Sequence, residues 1–303
     1  MGSLVGHVTP GLGFLVIGLW HLFNHIKLHS QGPKSNSSLL WFPAPKIRYL
    51  ELYLIMLGCS LSIAMELFIG PVRHQPLDPD GTIPSNHLHN FEHSLISFSI
   101  FSYAAFAILF DRATGSMKAH SGAFFGLTHL LGAVAFGQEL LLFHFHSTDH
   151  KGLEGQYHLL LQIVVLVSLT STLIGIALPR SFLVIFVRSV SIFSQGVWEI
   201  VMGFMLWTPQ LIPKGCFMNL EEAHFVVRCN SDEALHRAKS LANILFSWFL
   251  ISVTIFSVCL YLVLTKIYED KVQCHPLHID TGDADLKKSS KILNHDEAED
   301  FLP

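Results

Sequence analysis

Acids are scarce in this chain and its 19 histidines are an excess, and the ones able to do chemistry stand inside or at the mouths of apolar runs. Glu66, Glu139 and Glu199 interrupt hydrophobic stretches, while His93, His144, His146 and His158 stand at the ends of others. Carboxylate and imidazole together are the ligand set of Zn²⁺ or iron, and equally the parts of a proton relay. The densest stretch reads Gln138-Glu139-Leu-Leu-Leu-Phe-His144-Phe-His146-Ser-Thr-Asp149-His150. Glu139 and His146 lie nearly two helical turns apart, so they share a face ~10 Å from one another, whereas His144 points elsewhere. His89 and His93 share a face at four-residue spacing, as do Gln195 and Glu199.

The elements that must position these groups are membrane spans. Of the 303 residues 50% are hydrophobic and 14% charged, against ~25% charged in soluble domains. A net charge of −4 supplies no basic face for a polyanion, which excludes nucleic-acid binding. Seven apolar segments are expected, at 8–26, 49–70, 90–110, 120–146, 157–178, 182–207 and 240–265, each long enough to cross ~30 Å of hydrocarbon. The first is read as a span, since it exceeds a signal-peptide core and no basic segment precedes it. The expected fold is all-α, a polytopic membrane protein with seven transmembrane helices in one bundle over 1–267. Residues 268–303, rich in Glu, Asp, Lys and Ser, read as a disordered cytosolic tail.

Loop charge sets the expected orientation. Lys27, Lys34, Lys46 and Arg48 follow the first segment, Arg112 and Lys118 the third, and Arg180 the fifth. These and the lysines of the tail place the C-terminus in the cytosol and the N-terminus outside it, although Lys214, Arg228, Arg237 and Lys239 in the sixth loop dissent. On that topology Cys216 and Cys229 face an oxidising compartment, where a disulfide closing the sixth loop is favoured over two free thiols. The sequon Asn36-Ser37-Ser38 falls on the cytosolic side and is expected to stay unglycosylated.

Placed on the same topology, Glu66, His93, Glu139, His144, His146, His158 and Glu199 come from five spans yet fall in one extracytoplasmic layer. A carboxylate at that depth costs several kcal/mol unless it finds a partner. A metal site built from three or four of these residues is the sharp reading, with Glu66, His93, Glu139, His146 and His158 as expected ligands of Zn or Fe. A pH-responsive or proton-relaying cluster and purely structural polar packing stand beside it.

Two enzyme readings need the same side chains. His21-Leu-Phe-Asn-His25, His87/His89/His93 and His144/His146/His150 look superficially like the histidine boxes of membrane desaturases, but they fall on opposite sides of the membrane. A seven-span zinc hydrolase would use a metal-bound water with a nearby acid as base. A two-haem carrier ranks lower, because His129 has no obvious partner at its depth. Arg188, five or so residues into the sixth span, is expected to snorkel to the cytosolic interface. The tryptophans read mostly as span-end residues.

Gly6-His7-Val-Thr-Pro10-Gly11, Ala64-Met-Glu66, Phe91-Glu-His93-Ser94, Glu139 with His144-Phe-His146, His158 and Gln195-Gly196-Val-Trp198 together resemble the transmembrane protein 45 family over residues 1–267. Its plant members carry a viral-response label. The resemblance implies a seven-span protein of the endomembrane system or plasma membrane with no established activity, and it adds His7 to the candidate ligands. The expected function is therefore an integral membrane protein with a metal-binding His/Glu layer and membrane lipids as its surroundings. A lipid-directed metal hydrolase, a proton-coupled or ion transporter, and a non-catalytic scaffold linked to virus or stress response are the alternatives.

Overall fold

The computed structural model describes residues 3–32, 37–71, 74–145, 152–221 and 224–273. His146, Asn36, His150 and the tail from 274 onward lie outside the described residues. Seven helices are long and apolar enough to cross a membrane. They are α1 (Leu4–Gln31), α2 (Leu50–Ala64), α3 (Leu88–Ser116), α4 (Ser121–His144), α5 (Gly152–Ala177), α6 (Phe182–Trp207) and α7 (Asp232–Gln273). All seven expected segments coincide with helices, several of which run a turn or more further. α7 has 42 residues, ~63 Å of helix, and so projects beyond a bilayer. Between α6 and α7 the chain forms an antiparallel hairpin, β1 (Cys216–Glu221) and β2 (His224–Cys229). It is closed at its base by a Cys216–Cys229 disulfide.

From α2 to α6 each helix packs against the next, and α1 closes the bundle by lying along α6 and touching α7. The α1–α6 crossing is close because it is lined by glycine. A Cβ on Gly196 would stand 2.1 Å from the Leu15 nitrogen, and one on Gly18 would stand 2.2 Å from the Phe193 nitrogen. Without hydrophobic drive between helices in lipid, such backbone contact is how spans associate. The apolar core gathers where α5, α6 and α7 meet. Trp198 sits at its centre, fully buried, stacked on Tyr157 and donating its Nε1–H to the Tyr157 carbonyl at 3.2 Å. This tryptophan is a core residue and not an interfacial one.

The helices present two ends. One carries the start of α1, the end of α6 and the hairpin, and is called the hairpin end here. The opposite end carries the connection from α1 to α2.

Candidate functional site

At the hairpin end α2 finishes in a π-helical turn, Met65–Ile69. π-Turns are rare and recur at functional sites. This one holds Glu66 buried, its Oε2 accepting from Asn90 Nδ2 at 2.7 Å while Oε1 has no partner among the described residues. Glu139 of α4 and Glu199 of α6 are also buried and interact electrostatically with each other. Each leaves its Oε2 without a hydrogen bond among the described residues.

Imidazoles lie at the same end of the bundle. His158 Nδ1–H donates to the Glu154 carbonyl at 3.0 Å, and His7 Nδ1–H donates to the Ser3 carbonyl at 3.1 Å. Both bonds run back one turn to an acceptor, so Nε2 is the lone-pair side of each neutral ring. The two rings lie 5.6 Å apart, and His7 also stacks on Trp207 at 4.4 Å. Phe143 stands between His158, at 5.9 Å, and His93, at 6.4 Å. His144 departs from the layer. It is exposed on the flank of α4, with Nδ1 3.2 Å from Gln162 Oε1.

The structure therefore brings Glu139 together with Glu199, His7 with His158, and Glu66 with Asn90. The donor types suit a metal, since carboxylates and imidazoles are among its usual ligands. The spacing does not. Among the described residues no three His, Cys, Asp or Glu side chains are grouped closely enough to hold a metal ion.

A second polar cluster fills the opposite end, and sequence reading passed over most of it. The chain leaving α1 does not stay at the surface. Its Ser38–Phe42 segment enters the bundle and meets Arg188, six residues into α6, and His129, eight into α4, which is ~9–12 Å inside the helix ends. Non-helical backbone survives at such depth only where protein satisfies it. Arg188 supplies the donors, to Ser38 Oγ at 2.8 Å and to the Leu39 carbonyl. Tyr103 Oη–H donates to the Leu40 carbonyl at 2.6 Å. Glu51 accepts from the Phe42 amide at 2.8 Å, from Trp20 Nε1 at 2.9 Å and from His21 Nε2 at 2.6 Å. The loop thus turns carbonyls toward a buried cation and an amide toward a buried anion.

Two expectations are corrected here. Arg188 does not snorkel; it is 0% exposed, because the inserted loop gives its guanidinium acceptors that water would otherwise supply. His129 does have partners at its depth. Its Nδ1–H donates to the Phe125 carbonyl at 3.0 Å, leaving Nε2 to accept from Ser38 Oγ at 3.2 Å, with Arg188 at 3.5 Å. One signal in the sequence pointed this way. His21 and His25 lie on the same face of α1 as Gly11 and Gly18, the face that packs inward.

Between the two ends α6 carries a buried polar stripe. Gln195 Nε2 donates to Ser168 Oγ at 3.2 Å, Ser168 to Ser191 Oγ at 2.8 Å, and Ser191 to the Arg188 carbonyl at 2.8 Å. Gln195 Oε1 has no partner among the described residues, and Glu199 lies one turn beyond. From Arg188 to Glu199 the stripe spans ~16 Å, with every member at most 5% exposed.

Fold and site together define an all-α, multi-pass membrane protein with polar clusters at both ends of its bundle. Residues 125–262, from within α4 to within α7, match the model of a family of unknown function, DUF716.

Proposed function

We propose that this is an integral membrane protein that carries protons, alone or coupled to a solute, between its two polar ends. Glu139 and Glu199 are the proton-binding pair in this reading, and Gln195, Ser168 and Ser191 mark the route inward. One observation carries it: a buried chain of hydrogen bonds from Gln195 through Ser168 of α5 and Ser191 to the Arg188 carbonyl, with Glu199 one turn beyond Gln195, in the apolar middle of the bundle. Polar groups there are expensive, and in membrane proteins they mark ion and proton pathways. Water entering beside the stripe would complete the relay, and Ser38–Phe42 closes its far end. The Cys216–Cys229 bridge favours an oxidising compartment at the hairpin end, hence an extracytoplasmic N-terminus in the endomembrane system or plasma membrane.

The test is proton flux. Purified protein in liposomes holding a pH-sensitive dye, driven by a potassium diffusion potential, is expected to acidify the lumen. Glu139→Gln and Glu199→Gln should each slow this about tenfold, since a carboxamide cannot take the proton. Flux equal to that of protein-free vesicles would sink the reading.

A second reading keeps a metal at the same layer. It is favoured by the meeting of His7 and His158, rings 5.6 Å apart, at the end of the bundle that also buries Glu139 and Glu199. Glu139 and Glu199 would be its carboxylate ligands, with Glu66, His93 and His146 as further donors for Zn or Fe. A bound metal would be a prerequisite for lipid hydrolysis, with a glutamate as base. Elemental analysis of wild type against His158→Ala and Glu139→Ala decides it. Stoichiometric Zn or Fe, lost in both variants, would place the metal reading first.

A further inference from the structure

The β1–β2 hairpin has two unlike faces, and the register decides which residue goes where. Cys216 pairs with Cys229, Met218 with Val227, and Leu220 with Phe225, so these six share one face. The base of that face packs onto the bundle. Val227 is 3% exposed and joins the core with Ala238 of α7 and Leu153 of α5. Toward the tip, ~13 Å from the disulfide, the same face loses that cover, and Leu220 is 61% and Phe225 49% exposed. The opposite face carries a polar network: Arg228 bonds Glu221, and Asn219 Nδ2 donates to Glu221 Oε1 at 2.9 Å. Phe217, exposed, and Val226, buried, are its apolar members.

The level of the hairpin says what covers the tip. Its Val227 amide donates to Glu154 Oε1 at 2.9 Å, in the first turn of α5, and Trp207 at the end of α6 donates Nε1–H to the Phe225 carbonyl at 3.3 Å. The helix ends at this level are where a bilayer gives way to water, the depth at which tryptophan and amphipathic elements settle. The base of this face rests on those helix ends, while Leu220 and Phe225 stay exposed at the same level.

We propose that the tip of the hairpin, through Leu220 and Phe225, is embedded in the headgroup–acyl boundary of the leaflet at that end, its partner being the lipid surface. The contact reaches the polar layer by short links. Trp207 stacks on His7, and Glu154 receives the hairpin amide through its side chain while its carbonyl holds His158. Lipid packing is thereby connected to the two imidazoles without any change in the helices. The proposal does not depend on whether the layer binds protons or metal.

The full chain in lipid nanodiscs tests it. Cys59, Cys259 and Cys274 are replaced by Ser, and a single cysteine bearing the fluorophore NBD is placed by Leu220→Cys or, on the other face, Asn219→Cys. Mass analysis confirms that the Cys216–Cys229 bridge is intact in both. At position 220 the label is expected to emit to the blue and to be quenched by a shallow doxyl phospholipid about threefold more than by aqueous iodide, with the order reversed at 219. Equal iodide quenching at both positions would overturn the proposal. So would protection of 220 from both quenchers, which would mean a second copy of the chain covers the tip.

Discussion

The two ends of the bundle bury similar groups and treat them differently. At the loop end the Glu51 carboxylate receives three donors, and the Arg188 guanidinium is met by Ser38, the Leu39 carbonyl and His129, although Arg188 Nε, His21 Nδ1 and His25 Nε2 have no partner among the described residues. At the hairpin end Glu66, Glu139 and Glu199 each keep a buried oxygen that nothing among the described residues satisfies. Buried charge that is paired and hydrogen-bonded holds a structure together. Buried acid without a cation is kept for something that arrives, and protons arrive most readily. On the proposed reading the loop end is the brace and the hairpin end the site, with α6 running through both.

Substitutions can break that contrast. The largest effect is expected from Arg188→Met, which strands the Leu39 carbonyl and the buried Ser38 hydroxyl and removes the charge that holds the inserted loop. A loss of about 3–5 kcal/mol is expected, seen as a collapse of the melting temperature in detergent. Arg188→Lys should not restore it, since one ammonium cannot span Ser38 and Leu39 as the guanidinium fork does. A variant as stable as wild type would show that the loop is held by other means.

Next come Gly18→Ala and Gly196→Ala, whose Cβ atoms would meet backbone nitrogens at 2.2 and 2.1 Å. Forcing α1 from α6 is expected to cost about 1–3 kcal/mol in either case. Because the crossing serves both ends, flux and stability should fall together, and a loss of one alone would argue that the ends are independent.

The sharpest comparison is carboxamide for carboxylate at each end. Glu51→Gln should lose about 2 kcal/mol, because three donors then face a weaker or mismatched acceptor. Glu139→Gln and Glu199→Gln should leave the melting temperature within about 0.5 kcal/mol of wild type, having little hydrogen bonding to lose. Equal destabilisation at both ends would erase the distinction between brace and site. Trp20→Phe, at the loop end, removes one intramembrane hydrogen bond to Glu51 and should cost about 0.6 kcal/mol. Thermal denaturation with a ligand-free control resolves it.

The spans were legible because each is set by its own residues. A run of apolar side chains ~20 residues long is helical in lipid whatever surrounds it. The depths of Glu66, Glu139 and Glu199 followed from counting along those runs, and so did their convergence on one end. The inserted loop was not legible. Trp41, Pro43 and Pro45 read as an ordinary connection, and nothing local says that Ser38 will meet Arg188, 150 residues away. Arg188 was assigned to the interface by the rule for a lone cation near a span end, and the rule failed because its acceptors come from that loop. His144 and Glu139 are near neighbours in sequence, yet helix phase puts the acid inside and the imidazole on the flank.

The sequence by itself therefore determined the number of spans and the depths of Glu66, Glu139 and Glu199, since both depend on short-range hydrophobic pattern. Only the tertiary structure decided which buried groups are satisfied. A hydrogen bond needs both partners within about 3 Å, and here the partners sit on different helices brought together by glycine contacts between α1 and α6 and by a loop folded back into the bundle.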